Sequence, residues 1–181
     1  MGHRISVKAL GLVGVLLASQ HNSTFAVDAA YVWWAGGKKA ENVTLGAQWD
    51  WDKRWPSSNG YFVRGYWDAS VSHWHGSDRF TLHQSQTLFV AGLTPVFRWQ
   101  RDSRSGFYWE GGIGVRYITE LWDNAARQLS TYFQFGDTIA VGYMESSGLD
   151  IGLKLEHTSN AGIKMPNSGM NFLGARLNYR F

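Results

Sequence analysis

Period-two alternation of apolar and polar residues recurs along most of the chain after residue 27, and it limits the possible folds more than any other feature. Between Phe107 and Tyr117, for example, Trp109, Ile113 and Val115 alternate with small or polar residues. Successive side chains of a β-strand point to opposite faces, so this pattern predicts strands with one apolar and one polar face. Helical periodicity is rare, and we therefore expect an all-β protein.

Eight segments show this alternation, and each reaches or exceeds the ~9–11 residues that a transmembrane strand needs. They are residues 28–36, 42–52, 60–74, 84–100, 106–119, 132–144, 148–160 and 171–181. The sequence thus predicts an eight-stranded antiparallel transmembrane β-barrel of the bacterial outer membrane, formed by residues 27–181.

Alternation alone does not say which face points inward, and a soluble eight-stranded barrel of the lipocalin kind would show it too. The 10 Trp, 8 Tyr and 10 Phe favour the membrane barrel, whose outer surface carries aromatic girdles. The terminal Phe181 also resembles the assembly signal of outer-membrane proteins. The interior of so small a barrel is filled by side chains, and we expect paired charges there from Arg64, Glu110, Arg116, Lys154, Glu156 and Arg176.

The start of the chain reads as a secretory signal peptide over residues 1–26. Basic Arg4 and Lys8 precede the apolar stretch 9–18, which is too short to span a bilayer, and small residues lead to a cleavage site after Ala26. The chain has no cysteine, which excludes disulfides and thiolate chemistry. The net charge of +3 suits an anionic lipid surface, and no clustered basic motif indicates nucleic acid.

The apolar face of the segment that starts at Leu149 ends in His157 and Ser159. An ionisable group that faces lipid is costly and indicates function. At a spacing of two residues the side chains are neighbours on one face, so the imidazole can take the hydroxyl proton and activate the serine as a nucleophile. Glu156 points to the opposite face. The structural alternative is that the pair only marks where the strand leaves the membrane.

The residues after this pair, 160–169, combine Asn, Gly and Pro. Backbone N–H groups and Asn side chains can stabilise the oxyanion of an acyl-transfer intermediate, which makes Gly162 and Asn167 candidate donors. Ordinary turn chemistry favours the same residue types.

A longer motif begins at His157 and reads HTSNAG, with Lys164, Pro166-Asn167 and Gly169 after it. It resembles the signature of the PagL family of lipid A 3-O-deacylases, and WDWDK at 49–53 and GYWDA at 65–69 extend the resemblance over nearly the whole barrel. The resemblance implies an outer-membrane barrel that hydrolyses the ester-linked 3-hydroxyacyl chain at the 3-position of lipid A. It also implies Ser159 as nucleophile, His157 as base and Asn160 as a residue needed for activity.

One position departs from this family, whose third triad member is a glutamate where this chain has Asn171. An asparagine can orient a histidine through its carbonyl oxygen, although it stabilises imidazolium less than a carboxylate does. A hairpin that turns near Ser146 would bring Asp137 opposite His157. We therefore hypothesise that Asn171 orients the histidine and that Asp137 supplies negative charge.

These features predict lipid A, as part of lipopolysaccharide, as the substrate and outer-membrane lipids as the surroundings. No cofactor is expected, and no metal, since His73 and His75 lack an evident third ligand. The sequence does not decide the oligomeric state, and a homodimer is compatible with it.

The alternative function, favoured by Asn171, is a non-catalytic structural or adhesion barrel. A soluble carrier of apolar ligands is the third reading.

Overall fold

A computed structural model describes residues 26–77, 85–124 and 126–181. The predicted signal peptide falls almost wholly outside these residues. The strands of the described part are β1 (Ala29–Gly37), β2 (Ala40–Pro56), β3 (Tyr61–Gly76), β4 (Gln86–Arg101), β5 (Gly106–Ile118), β6 (Asp123–Asn124), β7 (Arg127–Gln128), β8 (Phe133–Met144), β9 (Leu149–Ser159) and β10 (Met170–Arg180).

Eight of these strands close into an antiparallel barrel in the order β1-β10-β9-β8-β5-β4-β3-β2. The short β6 and β7 form a separate hairpin within the connection from β5 to β8. The predicted all-β fold with eight barrel strands is confirmed, and every predicted segment corresponds to one of them. No helix in the described part of the chain is long and apolar enough to cross a membrane.

The outward faces of the strands are apolar, and the inward faces carry the buried charges together with an apolar cluster around Trp33, Trp74 and Phe172. Ile113, Ile151 and Leu173 are each more than half exposed on the outer wall, whereas Glu110 and Arg98 are buried inside. A soluble barrel of the lipocalin kind has the reverse arrangement, so that alternative is wrong. An apolar surface that extends around a barrel is suited to lipid, not to water.

The barrel interior holds a set of paired charges, here called the interior charge network. Glu110 accepts from Arg98 Nε at 2.6 Å and from Arg176 Nη1 at 2.5 Å. Glu156 pairs with Arg116 Nη2 at 3.0 Å and with Lys154 Nζ at 3.1 Å. Buried charges are tolerated when they are paired in this way.

Arg64 shares the inward face with Arg98, its partner in the strand register, but it lies less deep than expected. Its guanidinium lies at the open end of the barrel, 2.7 Å from the half-exposed carboxylate of Asp102. The reason is the length of β2 and β3, which have 17 and 16 residues. Strand β1 begins at Ala29, and β2 and β3 extend beyond the level of that residue at this end of the barrel.

The two ends of the barrel differ in the length of their connections. Four-residue turns at 57–60, 102–105 and 145–148 join strands at the end that carries both termini. Apart from the two-residue turn between β1 and β2, the other end has longer connections at 77–85, 119–132 and 160–169. Outer-membrane barrels have short periplasmic turns and longer extracellular loops. This asymmetry predicts that the C-terminal ends of β9 and β3 lie on the extracellular side.

Candidate active site

Strand β9 carries His157 and Ser159 on the outer wall, close to its C-terminal end and to the longer connections of the barrel. Both side chains are partly exposed, whereas Glu156, which precedes the histidine, and Thr158, which separates the two, point inward and are buried. The two outward side chains are one pleat repeat apart, about 6.6 Å along the strand. Because Glu156 lies on the inward face, it is not a partner for the outward-facing histidine, as the alternation predicted.

The strand register aligns Asp137, His157 and Asn171 side by side across three neighbouring strands. Asp137 of β8 is directly opposite His157, and His157 is directly opposite Asn171 of β10. The predicted hairpin register of β8 and β9 is confirmed, with its turn at 145–148. These three residues form what we call the outer polar row.

A short hydrogen bond joins two members of the outer polar row. His157 Nδ1 lies 2.5 Å from Asn171 Oδ1. Because a carbonyl oxygen only accepts, Nδ1 carries the proton and donates it, which leaves the lone pair on Nε2. This is the tautomer that a general base needs.

Asp137 is exposed on the outer wall, between outward-facing Ile139 and half-buried Phe135. Within the described part of the chain its carboxylate makes no hydrogen bond or ion pair. Its neighbours across the strands are Ile113 on one side and His157 on the other. An unpaired carboxylate among apolar side chains does not stabilise the fold. Its position next to the histidine therefore indicates a functional role.

Ser159 is directly opposite Phe135 of β8. Phe135 packs edge-on against Phe133, with ring centroids 5.1 Å apart. The candidate nucleophile thus has Phe135 and Phe133 on the neighbouring strand and the histidine two residues before it on its own strand.

The loop 160–169 is organised by its two predicted asparagines. The buried Asn160 side chain accepts from Gly162 N at 3.0 Å and donates to Lys164 O at 2.7 Å. Asn160 N donates to Asn167 Oδ1 at 3.1 Å. Asn160 therefore acts inside the loop, and the Gly162 amide already has an acceptor. Asn167 is held through its Oδ1, and among the described residues no hydrogen bond uses its Nδ2 group.

The segment 119–132 supports this loop from outside, which the sequence did not indicate. Ser130 Oγ donates to Lys164 O at 2.7 Å and accepts from Asn160 Nδ2 at 3.4 Å. Arg127 Nη1 donates to Ser168 O at 2.7 Å. Such contacts between two irregular segments leave no periodic signal in the sequence.

His73 and His75 of β3 lie elsewhere on the outer wall. His73 packs edge-on against Phe89, and His75 Nδ1 is 3.1 Å from Thr87 Oγ1. Among the described residues, no three His, Cys, Asp or Glu side chains are grouped so as to hold a metal ion.

The family model described as Lipid A 3-O-deacylase (PagL) matches residues 41–180. The lipid A deacylase PagL of Pseudomonas aeruginosa is 32% identical over 165 residues, which cover 89% of this chain and 90% of the relative. The lipid A deacylase PagL of Bordetella bronchiseptica is 38% identical over 94 residues, covering 52% and 51% of the two chains.

Among solved structures, the crystal structure of the outer membrane enzyme PagL superposes with a TM-score of 0.73 at 25% identity. The superposition covers 84% of this chain and 99% of that one. The sequence and structural similarities therefore both span the barrel, including the strands that carry the outer polar row.

Proposed function

The chain belongs to the lipid A 3-O-deacylase (PagL) family, and from this premise we propose that it is an outer-membrane hydrolase that removes the ester-linked 3-hydroxyacyl chain from the 3-position of lipid A. The observation that carries the proposal is the outer polar row beside Ser159 on an apolar wall. A water-soluble substrate has little access to such a site, whereas a lipid in the same membrane meets it by lateral diffusion.

In the proposed reaction, His157 Nε2 takes the proton of Ser159, and Ser159 Oγ attacks the carbonyl carbon of the acyl ester. The tetrahedral intermediate collapses as the imidazolium returns the proton to the leaving 3-oxygen of the sugar. A water molecule, deprotonated by His157, then attacks the acyl-enzyme and releases the 3-hydroxy fatty acid. Ser159 regains its proton in that step, so the enzyme is restored.

We assign two different tasks to the partners of the histidine. Asn171 Oδ1, 2.5 Å from His157 Nδ1, holds the productive tautomer and ring orientation. Asp137, opposite the histidine in the strand register, supplies the negative charge that stabilises the transient imidazolium. A double-mutant cycle with Asp137→Asn and Asn171→Ala tests this division. Full activity in both single variants and in the double variant would contradict it.

The oxyanion would be held by donors of the loop 160–169. We favour Asn167 Nδ2, because the Gly162 amide donates to Asn160 and would first have to exchange that acceptor. Asn160 is needed in this scheme because its side chain shapes the loop. The extracellular position of the site matches the outer leaflet, where lipid A resides.

The direct test is mass spectrometry of lipid A from cells that express the wild type or Ser159→Ala. We expect the loss of one 3-linked hydroxyacyl chain only with the wild type. Both proteins must be shown to be folded in the outer membrane. If lipid A stays unchanged in cells and in detergent extracts, the deacylase proposal is wrong.

The second candidate function is a non-catalytic barrel, and Asn171 in place of the family's glutamate favours it. The two functions differ in the reactivity of the serine. A lipophilic organophosphonate should label Ser159 of an esterase, and Ser159→Ala should abolish the labelling. A folded wild-type protein that resists the reagent would support the structural barrel. A homodimer, with which the sequence is compatible, stays an alternative to the monomer.

A further inference from the structure

Gly169 ends the loop 160–169 and lies against the ring of His157. It is buried, and its φ of +63° lies in the left-handed region. A Cβ atom at this position would lie 2.5 Å from His157 Cε1 and 3.2 Å from Nε2. Contacts of that length between carbon atoms do not occur, since such atoms pack at about 3.5–4.0 Å. The imidazole therefore occupies space that any side chain at position 169 would need.

The contact matters because of where on the ring it falls. Cε1 lies between the two ring nitrogens, and Nδ1 is already held by Asn171 Oδ1 at 2.5 Å. An atom pressed against Cε1 would push the ring away from the loop. That movement would lengthen the bond to Asn171 and would also turn Nε2, the proton acceptor of the proposed reaction.

We infer that Gly169 is a positioning residue for His157. Its missing side chain lets the imidazole rest on the loop backbone, while Asn171 holds one ring nitrogen. The two supports come from residues two positions apart in the chain, where the loop runs into β10. Together they set both the depth and the rotation of the ring. This inference rests on the proposed function, since it assigns the direction of Nε2 to that reaction.

Two variants separate the collision from backbone strain. Gly169→Ala introduces the Cβ and is also strained at a positive φ, whereas Gly169→Asn introduces the Cβ but tolerates the left-handed conformation far better. If the collision with His157 is what matters, both variants lose activity. If only strain matters, Gly169→Asn recovers most of it.

The measurement is kcat and KM for purified lipid A in detergent micelles, with the folded barrel checked by heat-modifiable electrophoretic mobility. We expect kcat to fall about 100-fold in both variants, because a misplacement of about 1 Å costs this much. KM should stay near that of the wild type, since Gly169 is not part of the substrate surface. The rate at which the organophosphonate labels Ser159 should fall in parallel.

Gly60→Ala is the matched control. Gly60 also has a positive φ, +76°, but a Cβ there would meet open space at the far end of the barrel. We expect wild-type kcat and labelling for this variant. Wild-type kcat in Gly169→Ala, or recovery in Gly169→Asn, would overturn the inference while the wild type still deacylates. An inactive wild type would instead refute the proposed function, and the inference with it.

Discussion

Two groups of polar side chains lie on opposite faces of the same strands, and they differ in how completely they are paired. In the interior charge network, Glu156 contacts both Arg116 and Lys154, and all three are buried. In the outer polar row, one residue further along β9, His157 has a single hydrogen-bonded partner and Asp137 has none in the described part of the chain. The interior group is thus paired within the barrel, whereas the outer group exposes polar atoms on the apolar outer wall.

The difference in pairing distinguishes polar residues that stabilise a membrane barrel from those that serve its activity. Paired charges in a small closed interior fill space and hold neighbouring strands, so their loss should lower stability. Polar groups on the apolar wall contribute little to folding, so their loss should lower activity and leave stability nearly unchanged. Neighbouring positions on β9 make this contrast testable within one strand.

The largest expected effect is on catalysis in His157→Ala. Removing the proposed base should lower kcat by roughly 10⁴- to 10⁶-fold, the range for single members of a serine-hydrolase triad that act as a unit. The free energy of unfolding in urea should change by less than about 0.5 kcal/mol, the usual range for surface positions. Deacylation of lipid A in micelles measures the first and tryptophan fluorescence the second. A strongly destabilised variant would mean that His157 is structural.

The reverse result is expected for Glu156→Ala, one residue away. The change leaves Arg116 and Lys154 without their carboxylate, which should cost about 3–5 kcal/mol of unfolding free energy. The kcat of the fraction that remains folded should equal that of the wild type. If kcat falls and stability is unchanged, the contrast between the two faces does not hold.

A smaller loss is expected for Asn171→Ala. A hydrogen bond to a group that becomes charged contributes about 1.5–3 kcal/mol, so kcat should fall roughly 10- to 150-fold. KM should hardly change, because Asn171 contacts the histidine and not the substrate in this scheme. An unchanged kcat would exclude Asn171 as the residue that orients His157.

The smallest effect is expected for Ser130→Ala, which removes a support of the loop 160–169. A neutral hydrogen bond contributes about 0.5–1.5 kcal/mol, so kcat/KM should fall roughly 2- to 10-fold. Ser103→Ala is the matched control, because Ser103 lies in the turn 102–105 at the other end and contacts Ser105. Equal rates in the two variants would show that the segment 119–132 does not support the site.

Much of the site was predictable because its geometry is local. Alternation along β9 places His157 and Ser159 on one face, and a four-residue turn then determines that Asp137 is opposite His157. The same reasoning places Asn171 beside the histidine from the other strand. It does not predict that Arg64 lies at the barrel end, because the length by which β2 and β3 extend beyond β1 depends on barrel closure and not on any single strand.

By itself, then, the sequence determined the eight barrel strands and which side chains share a face of each strand, since side-chain alternation and short turns are properties of neighbouring residues. Only the tertiary structure decided the rest: that Asn160 points into its loop, that Ser130 supports that loop, and that Gly169 lies against His157. The physical reason is that each of these contacts depends on the path of an irregular loop. That path is set by packing against distant parts of the chain.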